Sequence, residues 1–284
     1  MYLIILLPLL FFMHISNNHI STSVHTLSFQ TRKKHSSSLS IVHISDLHNK
    51  SFGFRQSRLV RKIRDMHPDL VAVTGDLVDG APFANAVIFL KEVSRICPVY
   101  YVRGNHESLA GNFALLEKEV LGCRVHLLKN TSADFKKNGY TYRITGLDDP
   151  KFQGYDKDYL RLMKKTLDQM TACSKVSAPD HQILLSHRPE VFSLYSSYPF
   201  DLILCGHAHG GQFRLPFTDG LYAPNQGILP KYTSGAHTRN HTTEIISRGL
   251  GNSSFPLRLF NFPEIVQIII NDTGIPQNSG KPDF

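Results

Sequence analysis

Five short apolar runs in this chain each end in a polar cluster of the same kind. Leu39-Ser40-Ile41-Val42-His43-Ile44 leads into Ser45-Asp46-Leu47-His48, and Leu70-Val71-Ala72-Val73 into Thr74-Gly75-Asp76-Leu77-Val78-Asp79. Val99-Tyr100-Tyr101-Val102 leads into Arg103-Gly104-Asn105-His106-Glu107. Ile183-Leu184-Leu185 leads into Ser186-His187-Arg188-Pro189, and Leu202-Ile203-Leu204 into Cys205-Gly206-His207-Ala208-His209. Runs of this length, bounded by glycine and polar residues, read as buried strands. Between the first three lie Arg55 to Met66, apolar at Leu59, Val60 and Ile63, and Ala84 to Ile96, both with helical patterning. Strands alternating with helices predict βαβ units and a largely parallel α/β sheet, whose ligands bind at the carboxyl ends of the strands.

The rest of the chain is less regular. The Asn138-Gly139 pair inside Asp134–Tyr142 predicts a tight hairpin. Asp156 to Met170 is patterned as a helix, and residues 241–271 as two strands around Gly251-Asn252-Ser253-Ser254, the second being Glu264–Ile270. Residues 14–39 are rich in Ser, His and Asn, with a short strand at His25–Phe29. The segments expected are therefore an apolar stretch at 1–20, a linker with that short strand at 21–39, one domain at 40–271 and a frayed tail at 272–284.

Tyr2 to Met13 is apolar and interrupted only by Pro8. It is shorter than the ~20 residues that cross a bilayer comfortably, so it reads as a signal-peptide core or a short anchor. The expectation is a membrane-associated protein, with the membrane surface as one partner. The 284 residues carry a net charge of +8, which favours anionic partners such as phosphates, nucleic acid or acidic lipid. The basic residues are scattered, which speaks against a nucleic-acid groove and so against a specific nucleic-acid partner. Arg55, Arg58, Arg61 and Arg64 recur on one helix and read as a solvated face, with a surface for phospholipid headgroups as the alternative. No repeat or heptad is present, and nothing specifies an oligomeric state. The four cysteines form no Cys-x-x-Cys pair, which speaks against both a disulfide framework and a cysteine zinc site.

Histidine is the compositional outlier, at fifteen residues. His14, His19, His35, His126, His237 and His241 read as surface polarity. The strand-end set is different. Singly, each Asp-x-His or Gly-Asp is more often a turn. Together, carboxylates and imidazoles crowded at one core edge are costly to desolvate unless a cation takes their charge and lone pairs. A donor set of nitrogen and oxygen without sulfur suits Mn, Zn or Fe. The number of donors exceeds what one ion can accept, and Asp76, on the central strand, is suited to bridging two divalent ions.

The blocks Asp46-Leu47-His48, Gly75-Asp76-Leu77-Val78-Asp79, Gly104-Asn105-His106-Glu107, His187 and Gly206-His207-Ala208-His209 resemble those of the calcineurin-like metallophosphoesterases, in that family's order. The likeness covers about Ser40 to Ile270. The wording of the blocks, with the later Ser247-Arg248-Gly249-Leu250-Gly251, looks closest to a bacterial branch of membrane- or wall-associated phosphoesterases that includes UDP-2,3-diacylglucosamine diphosphatases. The resemblance implies a four-layer αββα sandwich with mixed sheets. It also implies two divalent transition-metal ions, Mn²⁺ foremost, and hydrolysis of a phosphodiester, phosphomonoester or diphosphate in a phosphate-containing substrate. Asp46, His48 and His209 would hold one ion, Asn105, His187 and His207 the other, and Asp76 both. A bridging hydroxide would attack phosphorus. Asn105 and His106 would contact the phosphate, with His106 protonating the leaving oxygen, Glu107 fixing the His106 ring and Asp79 supporting from behind. Two departures narrow the class. Position 80 is Gly where the protein Ser/Thr phosphatases carry Arg, and Leu77 and Val78 stand where purple acid phosphatases need a Tyr ligand. Asp148-Asp149-Pro150 reads as a turn at the rim of the substrate pocket. A nuclease of the same superfamily and a metal-free binding scaffold are the competing classes.

Overall fold

A computed structural model describes residues 2–31, 33, 35–109, 113–154, 158–172, 178–214, 220–252 and 257–274. In chain order the strands are β1 Ser21–Thr31, β2 Ser37–Ile44, β3 Leu70–Thr74, β4 Val99–Val102, β5 His126–Leu127, β6 Thr131–Lys137 and β7 Tyr140–Gly146. They continue with β8 His181–Leu185, β9 Leu202–Cys205, β10 Tyr222–Ala223, β11 Gly227–Ile228, β12 Gly235–Arg239, β13 Thr242–Ile246 and β14 Glu264–Gly274. The helices are α1 Tyr2–Asn18, α2 Ser57–Asp65, α3 Ala84–Val93, α4 Asn105–Leu109, α5 Phe113–Gly122, α6 Tyr159–Ala172 and α7 Phe192–Tyr195.

Two six-stranded sheets stack face to face, ordered β1-β14-β2-β3-β4-β5 and β12-β13-β9-β8-β7-β6. Strands β2 to β5 run parallel, as do β7, β8, β9 and β13, while β14, β6 and β12 pair antiparallel with their inner neighbours. The period-two side-chain alternation of a strand explains the layering. Leu39, Ile41, Leu70 and Ala72 point inward and meet Ile183, Leu185, Leu202 and Leu204 of the second sheet. Their neighbours Val42, Ile44, Val71 and Val73 face outward onto Leu59 and Ile63 of α2 and Phe89 and Leu90 of α3. Leu184 and Ile203 face the other way, onto Met163 and Leu167 of α6 and Phe192 of α7. The result is the helix–sheet–sheet–helix order of an αββα sandwich.

The predicted hairpin forms at Asn138-Gly139, where both residues have positive φ (49° and 78°), as a two-residue turn requires. The short strand expected at His25–Phe29 is an eleven-residue edge strand, parallel to β14 from Ser21 to Thr31. Asp272–Gly274, expected in the tail, complete β14, and the tail from 275 onward lies outside the described residues.

The N-terminal expectation is corrected. Among the described residues no helix is long and apolar enough to cross a membrane. α1 has 17 residues with Pro8 inside it, about 26 Å at 1.5 Å per residue against a hydrocarbon core of about 30 Å. A membrane location resting on this segment is therefore not supported. The carboxyl end of α1 is tied to the body instead. Phe12 packs on Phe260 with ring centroids 5.2 Å apart, and Arg58 Nη2 donates to the Asn18 carbonyl at 2.9 Å. Arg58, Arg61 and Arg64 are exposed on α2; Arg55, expected on the same helix, lies in the turn before it with positive φ, is exposed as well and pairs with Glu92.

Candidate metal centre at the carboxyl edge of both sheets

The carboxyl ends of β2, β3 and β4 in one sheet and of β8 and β9 in the other converge on one edge. Each delivers its polar cluster there, and the loops after β2, β3 and β9 have an unusual conformation. Asp46, His48, Asp76, His207 and His209 all have positive φ, between 47° and 65°. Side chains rarely adopt this left-handed region, and such strain persists only where the surroundings enforce it. Here two close approaches enforce it. A Cβ on Gly206 would clash with Ser45 Oγ and Asp46 Oδ2, and one on Gly104 with the Asp76 carboxylate. These glycines let the β9 loop reach the β2 loop, and the β4 loop reach the β3 loop.

Two trios of donors result in the interior, beside a third of His48, Asp79 and His106 at the mouth. Asp46, His48 and His209 bring donor atoms within 4.8 Å of one another, and so do Asp76, His187 and His207. His48 Nε2 lies 3.2 Å from His209 Nε2, with the rings stacked. Asp46 Oδ1 lies 3.5 Å from His209 Nε2 and 4.0 Å from His48 Nε2, while both its oxygens accept from the His207 N–H. Asp76 divides its oxygens. Oδ1 accepts from the His106 N–H at 2.8 Å, while Oδ2 stands 3.2 Å from His187 Nε2 and 3.8 Å from His48 Nε2, within reach of both trios. Asn105 joins the second trio, its Oδ1 3.1 Å from His187 Nε2.

The electrostatics test whether cations fit. His187 Nδ1 donates to the Thr74 carbonyl at 2.8 Å. That leaves Nε2 facing Asp76 Oδ2, Asn105 Oδ1 and, at 3.0 Å, His207 Nδ1. Acceptors converge on that point, so it calls for positive charge. With protons alone, His187 must supply it: burial works to strip its second proton, but the charge and hydrogen bond of Asp76, with Asp46, hold it at about 10. A divalent cation meets the same need and frees the imidazole lone pair. Burial pushes Asp46 up to about 6, and Asp76 adds to the push. Asp76 is just as buried, yet the charge and hydrogen bond of His187 outweigh burial and hold its carboxyl well below the usual range. Burial lowers His48 to about 4 and His209 well below its ordinary value, so both imidazoles are neutral, as ligands must be. Among the described residues, His48 Nδ1 and His207 Nε2 are buried without a hydrogen-bond partner. The donor types and their convergence fit divalent ions of the Mn, Zn or Fe kind.

His106 sits at the mouth, a third exposed in its side chain, with its Nδ1 2.9 Å from Asp79 Oδ1. Its Nε2 lies 3.9 Å from Asp76 Oδ2. The expected contact between Glu107 and the His106 ring is not made. Glu107 is fully buried and accepts from the N–H groups of Asp76, Leu77 and Gly104 and from the Tyr101 hydroxyl, at 2.6–2.9 Å. It staples the β4 loop to the β3 loop, and Asp79 holds the ring. Burial and then the Asp76 charge push Glu107 up to about 7, against the pull of these donors.

Other supporting residues carry no local sequence signal. Thr74 offers only its carbonyl. Asn261, fifty-two residues from His209, donates to the His209 and Gln212 carbonyls at 2.7 and 3.1 Å. Asp149 caps a short turn at Pro150–Gln153, as expected of Asp-Asp-Pro, and has a further role described below.

A family model described as calcineurin-like phosphoesterase matches residues 39–211. The uncharacterized metallophosphoesterase YkuE of Bacillus subtilis is 29% identical over 262 residues, covering 89% of this chain and 86% of that protein. The uncharacterized protein YpbG of the same organism is 30% identical over 254 residues, covering 87% and 85%. The phosphodiesterase YaeI of Escherichia coli is 25% identical over 209 residues, covering 72% and 71%.

Proposed function

This chain belongs to the calcineurin-like phosphoesterases, hydrolases of phosphoester bonds, and from that premise we propose that it is a phosphodiesterase working with two Mn²⁺ ions. The observation that carries the reading is Asp76 Oδ2, placed within reach of both donor trios. Asp46, His48 and His209 would hold one ion, Asn105, His187 and His207 the other, and Asp76 would touch both. When bound, such ions supply Lewis-acid polarisation of the phosphoryl oxygens and ease deprotonation of water.

The chain's own groups do the rest. Water attacks phosphorus, and the bond from phosphorus to the leaving oxygen breaks. His106, at the mouth, gives its Nε2 proton to that oxygen, while Asp79 fixes the ring through Nδ1. Asn105 keeps its side-chain amide beside His187 and aims it at the phosphate. Glu107 keeps the Asp76 and Gly104 backbones in register.

A diester is favoured over a monoester on charge. Position 80 is Gly, so that block brings no arginine to the phosphate. Arg103 and Arg188 sit near the site, but both are engaged by buried aspartates. A singly charged diester asks for less compensation than a doubly charged monoester. The name of the Escherichia coli relative points the same way.

The test is turnover of bis-p-nitrophenyl phosphate, p-nitrophenyl phosphate, a nucleoside diphosphate sugar and short DNA by the full chain supplied with Mn²⁺. The diester should be cleaved fastest, and Asp76→Asn should abolish the activity. Preference for the monoester would overturn the diesterase reading. Full turnover by Asp76→Asn would overturn the site.

A further inference from the structure

Asn105 and His187 face each other across the gap between the two sheets. Asn105 follows β4 through Arg103 and Gly104, and His187 follows β8 through Ser186. Their facing atoms are 3.1 Å apart. The sheets are joined by an apolar layer, and apolar contact is non-directional. That layer does not by itself fix a separation between two loops to a fraction of an ångström.

One directional link is the bond from His187 Nδ1 to the Thr74 carbonyl, and a dipeptide at the end of β7 adds another. Asp148 and Asp149 are 2% and 1% exposed. Asp148 takes the Arg103 guanidinium at two points, Nε to Oδ1 at 2.9 Å and Nη2 to Oδ2. The Asp149 N–H donates to the Arg103 carbonyl at 3.2 Å. Asp149 takes the Arg188 guanidinium at two points as well, Nε to Oδ2 at 2.6 Å and Nη2 to Oδ1 at 3.2 Å. Arg103 is two residues before Asn105, and Arg188 is one after His187. The Arg103 Cζ also lies 4.8 Å from the Phe113 ring centroid and 3.7 Å from that of Phe152. Two-point arginine–carboxylate pairs are planar and directional. Buried pairs add little net stability over apolar residues of the same size. Their placement here is better accounted for by the geometry they impose. One rigid dipeptide thus grips the loop of each facing residue.

We propose that Asp148 and Asp149 are positioning residues that set the Asn105–His187 separation, and through it the affinity of one of two cation positions. The inference rests on the donor assignment made under the proposed function. The position formed by Asp46, His48 and His209 has no contact with this dipeptide and should be unaffected.

The test is calorimetric titration of the metal-stripped full chain with Mn²⁺, with folding checked by circular dichroism. The wild type should bind two equivalents; binding fewer overturns the donor assignment itself. Asp149→Asn should weaken one equivalent by about 10–100-fold and leave the other within about twofold. Arg188→Lys keeps the charge but loses the two-point geometry, and should behave likewise. Asp134→Asn breaks the comparable Arg143–Asp134 pair on β6 and β7 and should leave both equivalents unchanged. If Asp149→Asn fails to fold, Arg188→Lys and Asp148→Asn decide. A wild type with two equivalents, and variants that retain both or weaken both equally, would overturn the positioning role while leaving the donor assignment intact.

Discussion

At the scale of single residues, the division of labour around His106 can be tested through the leaving group. Loss of a general acid should cost roughly 10²–10⁴-fold in turnover, but only where the leaving oxygen needs a proton. His106→Ala is therefore expected to impair an alkyl phosphodiester far more than bis-p-nitrophenyl phosphate, whose leaving group is stable as an anion. Equal losses on both substrates would remove the acid role. Asp79 touches only Nδ1 of that ring, so Asp79→Asn should show the same substrate bias at a smaller amplitude, about 10–100-fold. At this scale the sequence was most informative about which residues gather at the site. Asp46, His48, Asp76, Asn105, His187, His207 and His209 were all singled out from strand ends, and the structure brings all of them to one edge. It was least informative about pairings. The resemblance implied that Glu107 fixes the His106 ring, but on α4 neighbouring side chains diverge by about 100°. Glu107 turned into the core, and Asp79, from another loop, reached the ring.

At the scale of elements, the loops that carry the site are held by backbone contacts that local patterning does not show. Glu107 satisfies three backbone N–H groups and one hydroxyl in the interior. An orphaned buried donor costs about 1–3 kcal/mol. Glu107→Ala is thus expected to lower stability by at least about 3 kcal/mol in urea unfolding. A loss under about 1 kcal/mol would mean the loops are held otherwise. Gly206→Ala forces a side-chain atom into Ser45 and Asp46 and should cost about 1–3 kcal/mol while reducing Mn²⁺ affinity. Unchanged affinity would show that the β9 and β2 loops need not approach so closely. The core strands were legible to within a residue or two, because alternation of apolar and polar faces is a local property. The edge strand Ser21–Thr31 was underestimated. From Ser21 to Phe29 its side chains are half-buried or exposed, so its identity comes from pairing with β14, a partner more than two hundred residues away.

At the scale of the whole molecule, cation binding and folding should be coupled. Two buried carboxylates and several neutral imidazoles share one edge, and a ligand that binds only the folded state adds stability by mass action. At a hundred times its Kd, Mn²⁺ should contribute about 2.7 kcal/mol. For a chain of this size that raises the melting temperature by roughly 5–10 °C, reversibly on chelation. Absence of any shift in calorimetric scans would argue that the donors do not act together.

The sequence by itself determined the core strands, the strand ends that carry polar donors and the nitrogen–oxygen chemistry of those donors, because each depends on a pattern confined to a few neighbouring residues. Only the tertiary structure decided which donors share a trio, which oxygen of Asp76 faces both, and which carboxylate holds His106. It also decided that α1, although apolar, is tied at its carboxyl end to the body. The physical reason is the same in each case. Distances across two stacked sheets are set by the register of non-local contacts, such as Asp148 to Arg103 and Asp149 to Arg188, and no local pattern encodes that register.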